Sequence, residues 1–224
     1  MLINQTSDRG TRATFEVHAP SLRYLDMFVR LKCAPMLLMD KLFPNAKEVT
    51  ESVGAFRGVK EALKAVYGAK GLARLGHEDV VLLDVGCGHQ PRTAALIAQL
   101  TKWMCYAIDP LVKWDREIQT QRVTRVGQRI EEFRDGFFRA HKLVVVTAVH
   151  SHAKLTDTLR TIDAKEILVV SIPCCFDISL PDGEVVHGYR IAKVREYEDH
   201  AIWSEKRHVT IYHCKREEEK EEEE

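Results

Sequence analysis

Four groups of residues in this chain have the types and spacing to do chemistry. Gly86 and Gly88 stand in Asp84-Val-Gly-Cys-Gly-His-Gln-Pro91, directly after the apolar run Val80–Val85. Two glycines one residue apart let the backbone bend sharply and let a ligand approach with no β-carbon in the way. Asp109 ends the next short run, Tyr106-Ala-Ile-Asp-Pro110, about where a carboxylate can bind the two hydroxyls of a ribose. His150 and His152 close Val146-Thr-Ala-Val-His-Ser-His152, and Cys174 and Cys175 close Val169-Val-Ser-Ile-Pro-Cys-Cys175. The glycine turn and the acid point to an adenosine-containing ligand, and a histidine can take a proton from a nucleophile near neutral pH. Each group also has a plain structural reading. Any α/β protein can carry a Gly-x-Gly turn, Asp before Pro opens turns, and a strand-end histidine can simply bond to backbone.

The cysteine pair has three readings: lining of an acceptor pocket, metal ligands together with His150 or His152, or small buried apolar residues. Adjacent cysteines do not easily serve one tetrahedral ion, and the chain has no Cys-x-x-Cys. Pocket lining or core is therefore favoured over zinc, and no metal is expected.

These residues need a scaffold that brings them together. Beyond Asp79 apolar runs alternate with helical patterns, which calls for a doubly wound α/β sheet, mostly parallel. Strands are expected at Val80–Val85, Cys105–Ile108, Val123–Val126, Leu143–Val149 and Ile167–Ile172. Helices are expected near Arg92–Lys102, Glu131–Ala140 and Ala153–Ile162, with another near Asp115–Gln121. Ile191–Tyr197 and His208–Cys214 are β-rich, with no helix fitting between them, and should form a C-terminal antiparallel hairpin. In such a sheet the strand ends carrying Gly86, Asp109, His150 and Cys174 all fall on the ligand side.

A helical N-terminal extension precedes the sheet. Apolar residues from Ala19 to Phe43 recur at helical spacing with Ser21 in an N-cap position, and Pro35 should break or kink that helix. A second helix should follow Asn45 and end near Gly68 or Gly71. The expected organisation is a helical extension or cap over 1–78, the sheet domain over 79–215, and a disordered acidic tail over 216–224. The helices of the extension are a candidate surface for a protein partner.

With 224 residues and 45% hydrophobic content, the chain can form one sizeable core. Lys+Arg and Asp+Glu are both 33, so net charge by itself signals no nucleic acid. Glu217–Glu224 concentrates acids, which leaves the remainder mildly basic. No apolar run approaches the ~20 residues that span a bilayer. The N-terminus lacks a signal-peptide pattern, and six cysteines without framework spacing suit a reducing compartment. An intracellular protein, cytoplasmic or nuclear and without membrane contact, is expected.

Over residues 79–214 the chain resembles class I (Rossmann-like) S-adenosylmethionine-dependent methyltransferases, in which Asp-Val-Gly-Cys-Gly is a familiar form of the first motif and the last two strands form an antiparallel hairpin. The resemblance implies S-adenosylmethionine as cofactor. It implies that Asp84 orients the methionine ammonium and that the backbone from Gly86 through Cys87 and Gly88 to His89 lines the amino-acid end. Asp109 would hold the ribose, Ile130 the adenine face, Gln128 or Glu131 its exocyclic edge, and Val149 would complete the site. His150, His152, Cys174 and Cys175 would surround the acceptor as catalytic candidates.

Pro91 holds the place of the third glycine in a nicotinamide-binding fingerprint, which disfavours an oxidoreductase. A fainter similarity, to tRNA ribose methyltransferase-like proteins with a Cys-Cys pair after strand five, makes RNA the preferred acceptor over a small molecule. This chain has His150-Ser-His-Ala-Lys-Leu155 where that group has His-x-Cys-Gly-x-Leu. No Asn/Asp-Pro-Pro-Tyr/Phe motif follows the fourth strand, which disfavours methylation of an exocyclic amine in that geometry. The alternative is a catalytically silent Rossmann-like interaction module or partner subunit.

Overall fold

The computed structural model describes residues 2–6, 12–16, 22–113, 118–133, 141–174 and 179–217. A short hairpin, β1 (Leu2–Thr6) and β2 (Arg12–Glu16), comes first. Three helices follow: α1 (Arg23–Val29), α2 (Ala34–Met39) and α3 (Ala46–Tyr67), the last continuing into a 3-10 stretch over Gly68–Gly76. The α/β part runs β3 (Val80–Val85), α4 (Arg92–Leu100), β4 (Met104–Ile108), β5 (Val123–Val126), β6 (Leu143–Val149), α5 (Leu155–Thr161) and β7 (Glu166–Ile172). It closes with β8 (Val185–Val186), β9 (Tyr189–Glu198) and β10 (His208–Arg216).

Eight strands form one sheet in the order β5-β4-β3-β6-β7-β10-β9-β8. β3 to β7 pair in parallel, whereas β10 is antiparallel to both β7 and β9. This is the doubly wound, Rossmann-like sheet with a C-terminal antiparallel hairpin that the sequence pattern predicts. Strand order reverses between β3 and β6, so a crevice opens beyond their carboxyl ends, where ligands of open α/β sheets bind.

The central strands are buried on both faces, which is why they read as unbroken apolar runs. Alternation divides their side chains between two cores. Val80, Leu82, Val145, Leu168 and Val170 pack with α3 and α4, while Val81, Leu83, Val144, Val146 and Val169 pack with α5.

α3 starts where Asn45 Oδ1 accepts the Glu48 amide at 3.0 Å, and it ends at Gly68, whose φ is +66°. Its Val49, Val53, Phe56, Val59 and Leu63 are buried. The helix can lie this close to the sheet because Gly58 has no side chain: a β-carbon there would stand 2.5 Å from Val170 Cγ1. The N-terminal helices are also pinned to the β9–β10 connection. The Tyr24 hydroxyl donates to Asp199, and the Trp203 amide donates to Thr50 Oγ1 at 2.9 Å.

Some elements differ from the sequence pattern. The helix expected over Ala19–Phe43 is two helices, and the interruption at Arg30–Cys33 comes before Pro35. Pro35 lies in the first turn of α2, where its missing N–H costs nothing. Of the helix expected over Glu131–Ala140, only the start is described: Ile130–Glu132 form a 3-10 turn, and 134–140 lie outside the described residues. Residues 118–121 are not helical, and 114–117 fall outside the described set, as do Ser21 and the tail from 218. Among the described residues, no helix is long and apolar enough to cross a membrane.

The tight α3–sheet approach yields a stability test. Gly58→Val should lose more than about 2 kcal/mol in denaturant unfolding, because the branched side chain must displace a rigid valine in a packed interface. A loss under about 0.5 kcal/mol would show that the helix is free to move off the sheet.

Candidate functional site

The site is built outward from the end of β3. Asp84 is 2% exposed, and its carboxylate is fully engaged. Oδ1 accepts from Thr147 Oγ1 at 3.0 Å, and Oδ2 accepts from the Ala94 amide at 3.1 Å. Thr147 is its register partner on β6, and Ala94 lies in the first turn of α4, whose flanking residue Pro91 makes no side-chain cap. Asp84 therefore caps α4 from within the sheet. Burial pushes its pKa up to about 6, against the opposing pull of the two hydrogen bonds and the nearby Arg92.

The chain then turns through Gly86 (φ +71°) and Gly88 (φ +68°), a left-handed conformation that other residues adopt only with strain. Gly86 faces a second constraint. A β-carbon there would stand 2.2 Å from Ser151 Oγ, at the end of β6. Around Gly88 there is open space, so its backbone is accessible to a ligand. Asp109 closes the turn from β4: Oδ2 accepts the Gly88 amide at 3.0 Å and Oδ1 the Leu111 amide at 2.8 Å. Cys87 donates to the Gly88 carbonyl, and burial beside Asp84 and Asp109 pushes its thiol well up, so it stays neutral.

Two cavities meet across this turn. One, of about 380 Å³, is lined by Gly86, Gly88, Ile108, Asp109, Gln128, Ile130, Glu131, His150 and His152. The other, of about 220 Å³, is lined by Lys47, Glu48, Glu51, Asp84, Gly86, Cys87, Gly88, Arg92, Val149 and His150. Gly86, Gly88 and His150 belong to both. Together they have the volume of a nucleoside-sized ligand site. The first combines an acid with an apolar residue, Ile130, and an amide, Gln128. The second combines cations with carboxylates.

His150 lies at the hinge of the two cavities with φ +50°, held by its amide donating to the Ile172 carbonyl at 2.8 Å. Its Nε2 is 2.8 Å from Glu51 Oε1, a carboxylate on α3 that is 3% exposed. Lys47 Nζ reaches the same oxygen at 2.7 Å. Burial raises the Glu51 pKa, but the bonds from His150 and Lys47 outweigh it and hold the group below the ordinary range. An imidazole that gives Nε2–H to Glu51 keeps Nδ1 as its proton acceptor.

His152 is exposed on the rim of the larger cavity. Cys174 is half-buried, and its thiol donates to the His150 carbonyl at 3.6 Å, so the ends of β6 and β7 do meet. Its side chain lines a separate cavity of about 610 Å³ beside Ser171, Lys193, Thr210 and Tyr212. Cys175 lies outside the described residues. Among the described residues, no three His, Cys, Asp or Glu side chains converge as a metal site.

Sequence reasoning missed Lys47, Glu51 and Ser151. Glu51 lies 99 positions from His150, and it is the one charged residue among the buried residues of α3. Ser151 reads as a plain polar residue until the fold sets it against Gly86.

Several solved structures are similar to the chain. The 16S rRNA (adenine(1408)-N(1))-methyltransferase from Catenulisporales acidiphilia is 18% identical, over 71% of this chain and 93% of that one, with a TM-score of 0.44. A mutant of MtNAS is 13% identical, over 89% of this chain and 76% of that one, at 0.46. The antibiotic-resistance methyltransferase Kmr is 14% identical, over 66% and 92%, at 0.43. No protein-family model matches the chain, and no curated protein does.

Asp84 supplies a pH test of this geometry. Its folded pKa of about 6 lies above the ordinary 3.8, so its contribution to stability is full below about pH 4 and is lost as pH rises through 6. The loss amounts to at most about 3 kcal/mol. Asp84→Asn cannot titrate; its Oδ1 can accept the Ala94 amide while its Nδ2 donates to the Thr147 hydroxyl, which accepts in turn. Unfolding measured from pH 4 to 7 should show the variant losing that decline relative to the parent, and parallel curves would contradict a buried, titrating Asp84.

Proposed function

We propose that the protein is an S-adenosylmethionine-dependent methyltransferase acting on RNA. The supporting observation is the pair of cavities that meet at Gly86, Gly88 and His150, because each matches a different half of that ligand. In the larger cavity Asp109 can accept both ribose hydroxyls, with Ile130 against the adenine face and Gln128 near its edge. The smaller holds Lys47 and Arg92 beside Glu48, Glu51 and Asp84, a mixed lining that suits an amino-acid zwitterion. A pyrophosphate, with two negative charges and no cation of its own, fits that lining poorly, which disfavours a dinucleotide. The open space at Gly88 lets the backbone approach the ligand.

When bound, S-adenosylmethionine supplies an electrophilic methyl group on a sulfonium. The chain's own residues do the rest. His150, at the junction of the cavities, would take at Nδ1 the proton that the attacking O–H or N–H must lose as it accepts that methyl group. Glu51 stabilises the imidazolium that results and holds the ring in one orientation. Lys47 keeps Glu51 ionised. Cys174 fixes the His150 carbonyl and with it the end of β6.

The acceptor reading draws on the rim. Lys113, Arg129 and Lys154 are exposed there and have no ion-pair partner among the described residues. The Lys113 amide donates to the His89 carbonyl in the glycine turn, Arg129 lines the larger cavity, and Lys154 follows Ala153 on its wall. Uncompensated cations around a nucleoside-binding cleft favour a phosphate-bearing substrate.

Calorimetry with S-adenosylmethionine, S-adenosylhomocysteine and NAD tests the cofactor, and transfer of labelled methyl into RNA tests the reaction. S-adenosylhomocysteine should bind, and Asp109→Ala should weaken it by roughly 10- to 100-fold through loss of a charged hydrogen-bond acceptor. His150→Ala should bind it normally and lose roughly 10²- to 10⁴-fold in kcat. Binding of NAD alone would overturn the proposal, and binding of no nucleoside would leave an interaction module in its place. A His150→Ala enzyme with parental kcat would remove the base assignment.

A further inference from the structure

A second charged groove lies at the other end of the sheet. It has a volume of about 840 Å³, and its walls come from Arg74, Lys142, Lys165, Lys215 and two acids, Glu166 and Glu217. The register explains why these cations converge. Leu143, Glu166 and Lys215 stand in one row across β6, β7 and β10, because β10 runs antiparallel to the other two. Lys142 and Lys165 therefore enter their strands at the edge where Lys215 leaves its own. Arg74, on the 3-10 stretch that leads to β3, completes the ring, with its guanidinium 4.1 Å from the centre of the Tyr67 ring.

The cations of the groove outnumber its acids, and neither acid forms an ion pair with one of its lysines. Glu166 accepts the Tyr67 hydroxyl, and Glu217 pairs with Arg190, whose Nε is 2.7 Å from Oε1. Arg216 is used as scaffold: its Nη2 is 2.8 Å from Asp163 Oδ1, and its Nε donates to the Ala164 carbonyl. Lys142, Lys165 and Lys215 have no ion-pair partner among the described residues, and all three are exposed. Like charges gathered in excess of their counter-charges repel one another and raise the local potential, which an anionic occupant relieves.

We propose that this groove is a docking site for the phosphate backbone of an RNA, separate from the cosubstrate cleft. The lining has no apolar side chain to receive a peptide anchor, while flexible lysine ammonium groups suit phosphate oxygens, which they meet as point charges. β6 and β7 have seven residues each, so the groove lies about 20 Å from the cleft at their far ends. An extended RNA can reach both, so the groove adds affinity without touching the reacting atoms. The choice of RNA over another polyanion rests on the acceptor reading above, but the docking itself is measured without cosubstrate or turnover.

The test uses the full chain and a fluorescein-labelled oligouridylate followed by anisotropy over a salt series. Lys142→Ala/Lys165→Ala/Lys215→Ala should weaken binding and reduce the slope of log affinity against log salt by about 2, at roughly 0.7 per lost contact. The matching triple arginine variant should bind like the parent. S-adenosylhomocysteine affinity should not change in either, and this separates loss of the groove from loss of the cleft or of the fold. The proposal is overturned if the alanine variant keeps the parental affinity and slope. It is overturned equally if an oligoglutamate peptide binds in a lysine-dependent way while the oligouridylate does not.

Discussion

A carboxylate almost wholly removed from water ties together the three elements on which the cleft depends. Asp84 takes one hydrogen bond from β6 and one from the first turn of α4, so the ends of β3 and β6 and the start of α4 share one anchor. Removing a charge from water is costly, and the raised pKa expresses that cost. The return is geometric. With β3 held beside β6, the chain leaving Asp84 has two residues in which to clear Ser151, and with φ +71° and no β-carbon Gly86 can do so. The glycine turn is thus a consequence of the anchor, and its open space at Gly88 comes with it.

The pairing of Glu51 with His150 joins the N-terminal helices to the same point. α3 lies across the sheet on valine and leucine contacts, brought close by Gly58, and that packing carries a buried glutamate to within 2.8 Å of a histidine at the end of β6. A buried carboxylate needs partners, and Lys47 one turn away and His150 across the cleft provide them. His150 holds a left-handed backbone conformation that costs on the order of 1–2 kcal/mol. Such strain persists where the surroundings over-determine a residue, and the bonds that His150 makes to the Ile172 carbonyl and to Glu51, with the one it accepts from Cys174, do so here. The helices before the sheet therefore form one wall of the smaller cavity and supply its charges.

Most of the sheet was legible because burial on both faces leaves continuous apolar runs, as in Val80–Val85 and Leu143–Val149. The hairpin was legible because no helical period fits between Ile191–Tyr197 and His208–Cys214. The glycine turn and Asp109 were legible for a different reason: their chemistry is local and follows the chain order strand, turn, helix, strand, acid. Glu51 and Lys47 were not, since the contact that gives them meaning closes a loop of 99 residues. Asp84 was singled out as a ligand for an ammonium group, and the structure adds its work as a cap for α4, invisible in a sequence where Pro91 already suits a helix start. The short hairpin β1–β2 escaped notice because its strands carry too little apolar alternation to stand out.

Parallel strands also explain why the two charged regions stand at opposite poles. All the βα turns open at the carboxyl ends of the strands, so glycines, histidines and acids that need precise placement gather there, supported by strand pairing on both sides. The amino ends receive the chain from helices and loops, and residues such as Lys142 and Lys165 just before a strand project to solvent with few constraints. Ion pairs fix the cations of the smaller cavity: Lys47 on Glu51, and Arg92 at 3.4 Å from Glu48. The lysines of the far groove have no such partners among the described residues and keep their rotamer freedom. Rigid charge suits recognition of one small zwitterion, whose groups have fixed spacing. Mobile charge suits a polyanion, whose phosphates need only be met somewhere along the groove.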